Sequence, residues 1–337
     1  MPLLAVEDLG VSFRTEDGVL HAVRELSFSL EAGATLGIVG ESGSGKSVTA
    51  QTIMGLTRGA SLQGRVLFEG RDLLTLPDRE LRRVRGAQIA MIFQDPLSSL
   101  HPHYKVGWQI AEMVRAHTGL SRRQAHRRAA DLLGLVGIPQ PTRRVDDYPH
   151  QFSGGMRQRA MIAMALALDP RILVADEPTT ALDVTIQAQI IELIGRLQRE
   201  FDTALIMITH DLGVVAEIAD DVLVMYAGRG VEQTDRESLF HAPHHPYTRG
   251  LIASIPTSAV RGERLKPIPG QPPSLIDLPS GCSFRPRCAF AFNRCENERP
   301  PLHPVGGNSS ESAVAEHVSA CWLPELEAGA PSRRSSA

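Results

Sequence analysis

No cysteine occurs before residue 282, no apolar run reaches the length of a membrane span, and neither sign of charge prevails. The apolar run Met161–Leu168 falls far short of the roughly 18 residues of a spanning helix, so any membrane role must come through a partner. Thirty-five Lys and Arg against 38 Asp and Glu leave a formal charge of −3, without the basic excess of a general nucleic-acid binder. The opening Met1-Pro-Leu-Leu-Ala-Val-Glu-Asp8 has neither the basic start nor the apolar stretch of a signal peptide, which predicts a cytoplasmic protein. What is present is a globular composition, 42% hydrophobic and 22% charged, neither collagen-like nor disordered. Its 337 residues allow two domains at a prior of roughly 150 residues each.

The composition changes along the chain. Fourteen of the 23 prolines and all four cysteines lie after Ala242, which divides the chain into residues 1–242 and 243–328 and leaves a small, polar, basic stretch at 329–337, predicted to fray. In the first part, apolar strand-like runs at Ala34–Val39, Ile89–Phe93, Ile172–Ala175, Ala204–Thr209 and Val222–Tyr226 alternate with helical patterns. Such alternation predicts an α/β protein with a largely parallel sheet covered by helices. Between Phe93 and Ile172 only helical patterns occur, over Val106–Thr118, Arg122–Leu135 and Gly154–Leu168. They read as a helical insertion spanning about residues 95–170. Ser121 is the expected N-cap of the second helix, and Pro139, Pro141 and Pro149 break the chain before the third. The basic run Arg122, Arg123, Arg127 and Arg128 is expected to be a solvated face. Gly250 interrupts a helical pattern at Tyr247–Ala253, and Pro267–Ser274 should be an extended packing arm.

Chemistry first shows at Gly40, Glu41, Ser42, Gly43, Ser44, Gly45, Lys46 and Ser47, a full match to the G-x-x-x-x-G-K-[ST] loop. It follows the apolar run Thr35–Val39 and opens a helical pattern, the context in which this motif binds phosphates. The glycines let backbone N–H groups turn inward, the helix start adds positive potential, Lys46 reaches β- and γ-oxygens, and the Ser47 hydroxyl ligates Mg²⁺. A second element, Arg171-Ile-Leu-Val-Ala-Asp176-Glu177, is a buried strand ending in two carboxylates. Strand ends of a parallel sheet gather beside the nucleotide, so Asp176 is expected in the Mg²⁺ shell and Glu177 at the water attacking the γ-phosphate. His210 and Gln94 close neighbouring apolar runs, which predicts that both project into the same crevice. There His210 senses γ-phosphate charge, and Gln94 meets the metal shell and the water.

Phe152-Ser153-Gly154-Gly155-Met156-Arg157-Gln158-Arg159 precedes a long apolar helix just upstream of Asp176, and here the chain resembles the ATP-binding cassette (ABC) ATPases. The resemblance implies a P-loop cassette with a RecA-like core, an N-terminal antiparallel β part and a helical subdomain, followed by a small Pro/Cys-rich C-terminal domain. It implies that Phe13 stacks on adenine, that the loop Gly40–Ser47 together with Val48 contacts ATP, and that Ser153, Gly154, Gly155 and Met156 contact ATP held by a second subunit. Phe152 and Met156 depart from the usual Leu and Gln of that signature but leave Ser153 and the glycine amides in place. Thr180-Ala181-Leu182-Asp183 resembles the family's D-loop, with Asp183 coupling the two sites. Gly37–Ser47, Phe93–Leu100, Ala175–Asp183 and His245-Pro-Tyr-Thr248 are similar to the oligopeptide/dipeptide permease ATPases over roughly residues 3–325. That implies an importer with two membrane permeases, a second ATPase subunit and an extracytoplasmic binding protein, and places this chain on the cytoplasmic face of the inner membrane. His101, where that family often has Asn, falls in the segment expected to receive the permeases.

Within transport, dipeptides, oligopeptides, glutathione and nickel complexes stay open, because the ATPase does not touch cargo. Non-transport cassette ATPases of DNA repair carry long coiled coils and those of translation carry two cassettes, and neither feature is present. A vestigial cassette serving an iron–sulfur scaffold is disfavoured by intact Glu177 and His210. Cys282, Cys288, Cys295 and Cys321 lack the close pairs of zinc ribbons, and their wide spacing suits an iron–sulfur cluster at least as well; buried structural thiols are also compatible. The resemblance tips the choice, since some proteins of this transporter family hold a [4Fe–4S] cluster in a similar region.

Overall fold

A computed structural model of the protein describes residues 1–180, 182–255, 267–305 and 317–323, the side chains of Leu97 and Ser98 excepted. Ala181, residues 256–266, 306–316 and 324–328 of the second unit, and all of 329–337 lie outside the described residues.

The chain begins with an antiparallel hairpin, β1 (Leu4–Thr15) and β2 (Gly18–Leu30), closed by the Thr15 hydroxyl donating to Gly18 O at 2.8 Å. β3 (Thr35–Val39), wholly buried, leads into α1 (Lys46–Ile53). β4 (Ala60–Phe68) and β5 (Arg71–Asp72) return to the hairpin, giving a four-stranded sheet in the order β2-β1-β4-β5. α2 (Asp78–Val84) precedes β6 (Ile89–Ile92). The helical insertion then follows as α3 (Pro96–Ser99), α4 (Val106–His117), α5 (Arg122–Leu135), α6 (Pro141–Arg144) and α7 (Gly154–Ala165). β7 (Ile172–Asp176), α8 (Val184–Glu200), β8 (Ala204–Thr209), α9 (Leu212–Ile218) and β9 (Asp221–Tyr226) complete an alternating core. β10 (Arg229–Asp235), α10 (Arg236–His241), α11 (Pro246–Ala253), α12 (Asn293–Asn297), β11 (His303–Pro304) and β12 (Val318–Ser319) finish the described chain.

The second sheet has the order β11-β12-β10-β9-β3-β8-β7-β6, and its central strands β9, β3, β8, β7 and β6 run parallel. Their residues are buried on both faces, which is why these strands read as unbroken apolar runs and not as alternation. On α8 the buried Ile190, Ile191, Leu193, Ile194 and Leu197 fall at helical spacing and turn one stripe to the core. Ser121 caps α5 as expected, in a reciprocal capping box with Gln124.

The C-terminal segment is tied into this core. β12 pairs with β10, extending the sheet, and Tyr247 and Phe284 share a buried cluster with Val39, Val215, Val224 and Tyr226. Glu232 on β10 is fully buried, yet its carboxylate accepts from the His244 and His245 N–H groups at 2.7 and 2.9 Å and meets His317 Nε2 at 2.8 Å. The arm at 267–274 packs where a Gly250 Cβ would stand, 2.9 Å from Ile268 Cγ1, which explains the glycine in α11.

Gly107 marks an equally close approach in the insertion. Its N–H donates to Val145 O at 2.9 Å, and a Cβ there would run into the Val145 side chain and carbonyl. Gly107→Ala is expected to lower the unfolding free energy by about 1–3 kcal/mol, seen as a lower urea midpoint at unchanged m value. An unmoved midpoint would mean that α4 has room to shift.

Candidate active site

The parallel register sets Val39 beside Thr209, and Asp176 beside Ile208, so the segments following β3, β8, β7 and β6 emerge side by side. From Gly40 to Val48, with Gln94, Glu177 and His210, they line one cavity of about 610 Å³. Leu251 of α11 also contributes to its wall, a contact that no sequence pattern signalled.

The loop is shaped by backbone that only glycine adopts easily. Gly40, Gly43 and Gly45 have φ of 154°, 77° and 100°, and a Cβ at Gly40 or Gly45 would meet the Met225 or Ala22 carbonyl. Gly45 begins α1 without a side-chain cap, so the first-turn N–H groups keep their capacity for an anion. Ser44 Oγ is buried without a hydrogen-bond partner among the described residues. Lys46, 4% exposed, donates to Gly40 O at 2.7 Å and Glu41 O at 2.9 Å. Burial lowers its pKa, opposed by Glu177, Asp176 and Glu41.

Ser47 donates to Asp176 Oδ1 at 2.8 Å, joining the helix start to the acidic strand end. A hydroxyl and a carboxylate are the oxygen donors that Mg²⁺ accepts, and an ion that takes its remaining ligands from water and phosphate needs no larger protein cage. Glu177 has φ of 46°, unusual for a glutamate, and is held there by its N–H donating to Ile208 O at 2.9 Å. Its Oε2 accepts from Gln94 Nε2 at 3.1 Å and from the Thr180 hydroxyl at 2.9 Å, while His210 Nδ1 lies 3.4 Å from Oε1. The sequence pointed to Gln94 and His210 and set Thr180 in the D-loop-like stretch before Asp183; it gave no sign of the strained backbone or of the Thr180 bond to Glu177.

Other residues singled out from sequence lie elsewhere. Phe13 does not line the cavity: its half-buried ring packs against the core beneath the antiparallel sheet. Ser153 caps α7 by accepting from Met156 N–H at 3.3 Å, and Ser153 and Gly154 are exposed. A Gly155 Cβ would sit 3.0 Å from Ile186 Cγ2, so this turn lies against the start of α8, where Asp183 is the N-cap and accepts from Ile186 N–H at 3.0 Å. Ala181 of that loop is outside the described residues.

Cys282, Cys288, Cys295 and Cys321 are free thiols that line one pocket with Phe284 and Trp322. Burial raises the Cys282 and Cys288 thiols and pushes Cys321 up to about 12, so bare thiols there stay protonated. Among the described residues no group of three or more His, Cys, Asp or Glu side chains could hold a metal ion. The expectation of a [4Fe–4S] cluster therefore gains nothing here beyond the convergence of four thiols on one pocket.

A glycine-rich loop joining a buried parallel strand to a helix, with an acidic strand end hydrogen-bonded to its last serine, defines a P-loop nucleotide-binding cassette. Residues 23–180 match the ABC transporter family, and residues 231–295 match the oligopeptide/dipeptide transporter C-terminal region. The chain is 53% identical to the oligopeptide transport ATP-binding protein OppD of Escherichia coli, over 96% of this chain and 94% of that one. It is 50% identical to the dipeptide transport ATP-binding protein DppD of Bacillus subtilis, over 97% and 96%. Among solved structures it is similar to a dimeric ATP-binding cassette in a post-hydrolysis state with ADP and phosphate, with a TM-score of 0.63, 25% identity, and coverage of 69% of this chain and 98% of that one. The chain belongs to the ABC transporter ATPases, in the oligopeptide/dipeptide transport ATP-binding branch.

Burial, reinforced by Glu177, raises the Asp176 pKa, against the Ser47 hydroxyl and Lys46. A folded pKa above the unfolded value of roughly 3.9 makes ionised Asp176 a stability penalty, present at neutral pH and relieved as pH falls through the folded pKa. Asp176→Asn without nucleotide is thus expected to melt a few degrees higher near neutral pH, with the gain vanishing toward about pH 4. Thermal melts across that range check this; a variant that melts lower near neutrality would show that the carboxylate is net favourable.

Proposed function

We propose that this chain is the ATP-hydrolysing subunit of an importer that takes up dipeptides or oligopeptides. The observation that carries the proposal is the convergence of Lys46, Ser47, Asp176, Gln94, Glu177 and His210 on one cavity, in a chain about half identical to peptide-transport ATP-binding proteins. In this reading the first-turn amides of α1 and Lys46 hold the β- and γ-phosphates, while the adenine role of Phe13 rests on the family resemblance alone. Ser47, Asp176 and Gln94 hold Mg²⁺, which neutralises charge on the phosphate oxygens when bound. Glu177 takes the proton of the attacking water as its oxygen bonds to the γ-phosphorus and the bond to the ADP oxygen breaks. Gln94 and Thr180 fix one carboxylate oxygen for this task, and His210 faces the other.

A second ATPase subunit, identical or related, packs head to tail. Exposed Ser153 and Gly154, with Gly155 and Met156, then present the start of α7 to the partner's nucleotide, and Asp183 couples the two sites. Two membrane permeases dock on the insertion, where an exposed ring cluster supports the assignment: Tyr104 stacks on Trp108 at 4.4 Å and His101 lies 4.7 Å from Tyr104. An extracytoplasmic binding protein delivers cargo. The likeness to peptide-transport ATP-binding proteins supports a peripheral position at the cytoplasmic face of the inner membrane; among the described residues no helix is long and apolar enough to cross a membrane. Residues 1–242 are taken as the ATPase unit, with 243–328 appended to it.

Glu177→Gln is expected to bind ATP with wild-type affinity, lose at least about 10²-fold in turnover, and accumulate as a closed dimer with bound nucleotide. Phosphate release and size-exclusion chromatography check both parts, and near-normal turnover would remove Glu177 from its role.

We further propose that the four thiols hold a [4Fe–4S] cluster that staples the Pro-rich segment; the support is the pocket that Cys282, Cys288, Cys295 and Cys321 share. Anaerobic purification should give about four irons and four sulfides per chain with a broad band near roughly 400 nm, lost in Cys288→Ser. Zinc, or no metal, in the same preparation would refute the cluster and leave the ATPase reading intact.

A further inference from the structure

Glu41 is the one charged residue between Gly40 and Lys46, and the C-terminal segment grips it. Arg287, its side chain only 3% exposed, donates from Nη1 to Glu41 Oε2 at 2.6 Å and from Nη2 to Oε1 at 2.9 Å, a two-pronged ion pair across 246 positions of sequence. The Glu41 N–H in turn donates to the Tyr247 hydroxyl at 2.8 Å. Arg287 is itself fixed: its Nε donates to Pro269 O at 2.8 Å, and its guanidinium lies 5.8 and 5.9 Å from the ring centres of Tyr226 and Phe284. Tyr226 packs on Tyr247 at 4.7 Å and on Phe284 edge-on at 5.2 Å, closing an aromatic box around the pair. Glu41 O accepts from Lys46 Nζ at 2.9 Å, so a residue held at its carboxylate and its N–H by the C-terminal segment also orients the lysine of the phosphate loop.

From this geometry we infer that Arg287 and Tyr247 are positioning residues for ATP binding: they hold the turn at Gly40–Glu41 in the shape that accepts phosphates. A rigid two-pronged pair suits that task because it fixes orientation as well as distance, which a lysine cannot do. Arg287 immediately precedes Cys288, so the segment bearing the cysteines bears directly on the phosphate loop. The inference rests on the ATPase reading above, and neither residue touches the reacting atoms.

The test uses the full-length chain, with Mg-ATP titrated calorimetrically in the Glu177→Gln background and steady-state hydrolysis measured without it. Arg287→Lys is expected to weaken Mg-ATP binding and raise KM by about 10-fold while kcat stays within about threefold, because the loop is misplaced and not the attacking water. Amide exchange should quicken at residues 40–46 and not in α8. Glu41→Gln should behave alike, and the double variant should cost no more than the worse single one, the mark of residues acting as a unit. Tyr247→Phe, which removes only the hydroxyl, should shift Kd in the same direction and keeps the test open if Arg287→Lys does not fold. A lower melting temperature with unchanged Kd and KM, or multiplicative effects of Glu41→Gln and Arg287→Lys, overturns the inference. Absent Mg-ATP binding in the parent, with Lys46→Ala no different from it, sinks the ATPase reading itself.

Discussion

The parallel alignment of β6, β7, β8 and β3 is the constraint on which the rest of the structure depends. Parallel strands point their carboxyl ends the same way, so four segments far apart in sequence deliver Gln94, Asp176–Glu177, His210 and the loop from Gly40 to one rim. The helical insertion between β6 and β7 is compatible with this because it leaves the pairing of Ile89–Ile92 with Ile172–Ala175 intact. The antiparallel sheet and α1 cover one face of the strands, and α8 with the insertion covers the other.

Gathering those ends creates an electrostatic conflict. Lys46 and Asp176 are buried beside the partly exposed Glu177, and burial moves Lys46 down and Asp176 up, each toward its neutral form. The conflict is contained by contacts of short reach: Ser47 on Asp176, the loop carbonyls on Lys46, Gln94 and Thr180 on Glu177. Such a site is poised for a ligand that brings phosphate charge and a divalent cation together, which is how the geometry and the family membership agree.

The C-terminal segment acts as part of the cassette's framework. Its β12 lengthens the core sheet, its His317 meets Glu232 of β10 across the joint, and its Tyr247 and Phe284 join Tyr226 of β9 around Arg287 and Glu41. A proline-rich stretch with little core of its own is ordered here by borrowing the apolar face beneath Tyr226 and Val224.

Local order and chemistry were legible in the sequence because they depend on neighbours in the chain. The loop motif, the apolar runs of β3, β7 and β8, the α5 boundaries and the Ser121 cap follow from residue type and spacing alone. The family resemblance carried by Ser153–Met156 and Asp176–Asp183 resides in the sequence alone. What only the tertiary structure decided concerns residues without such a pattern. The left-handed backbone of Glu177 exists because Ile208 O holds its N–H; Phe13 packs where β1 meets the core and outside the cavity; Arg287 finds Glu41 only after the sheet and α11 bring them together. A contact across 246 residues leaves no period and no spacing to read, so the chain's sequence determined the chemistry, and its packing determined which side chains aim it.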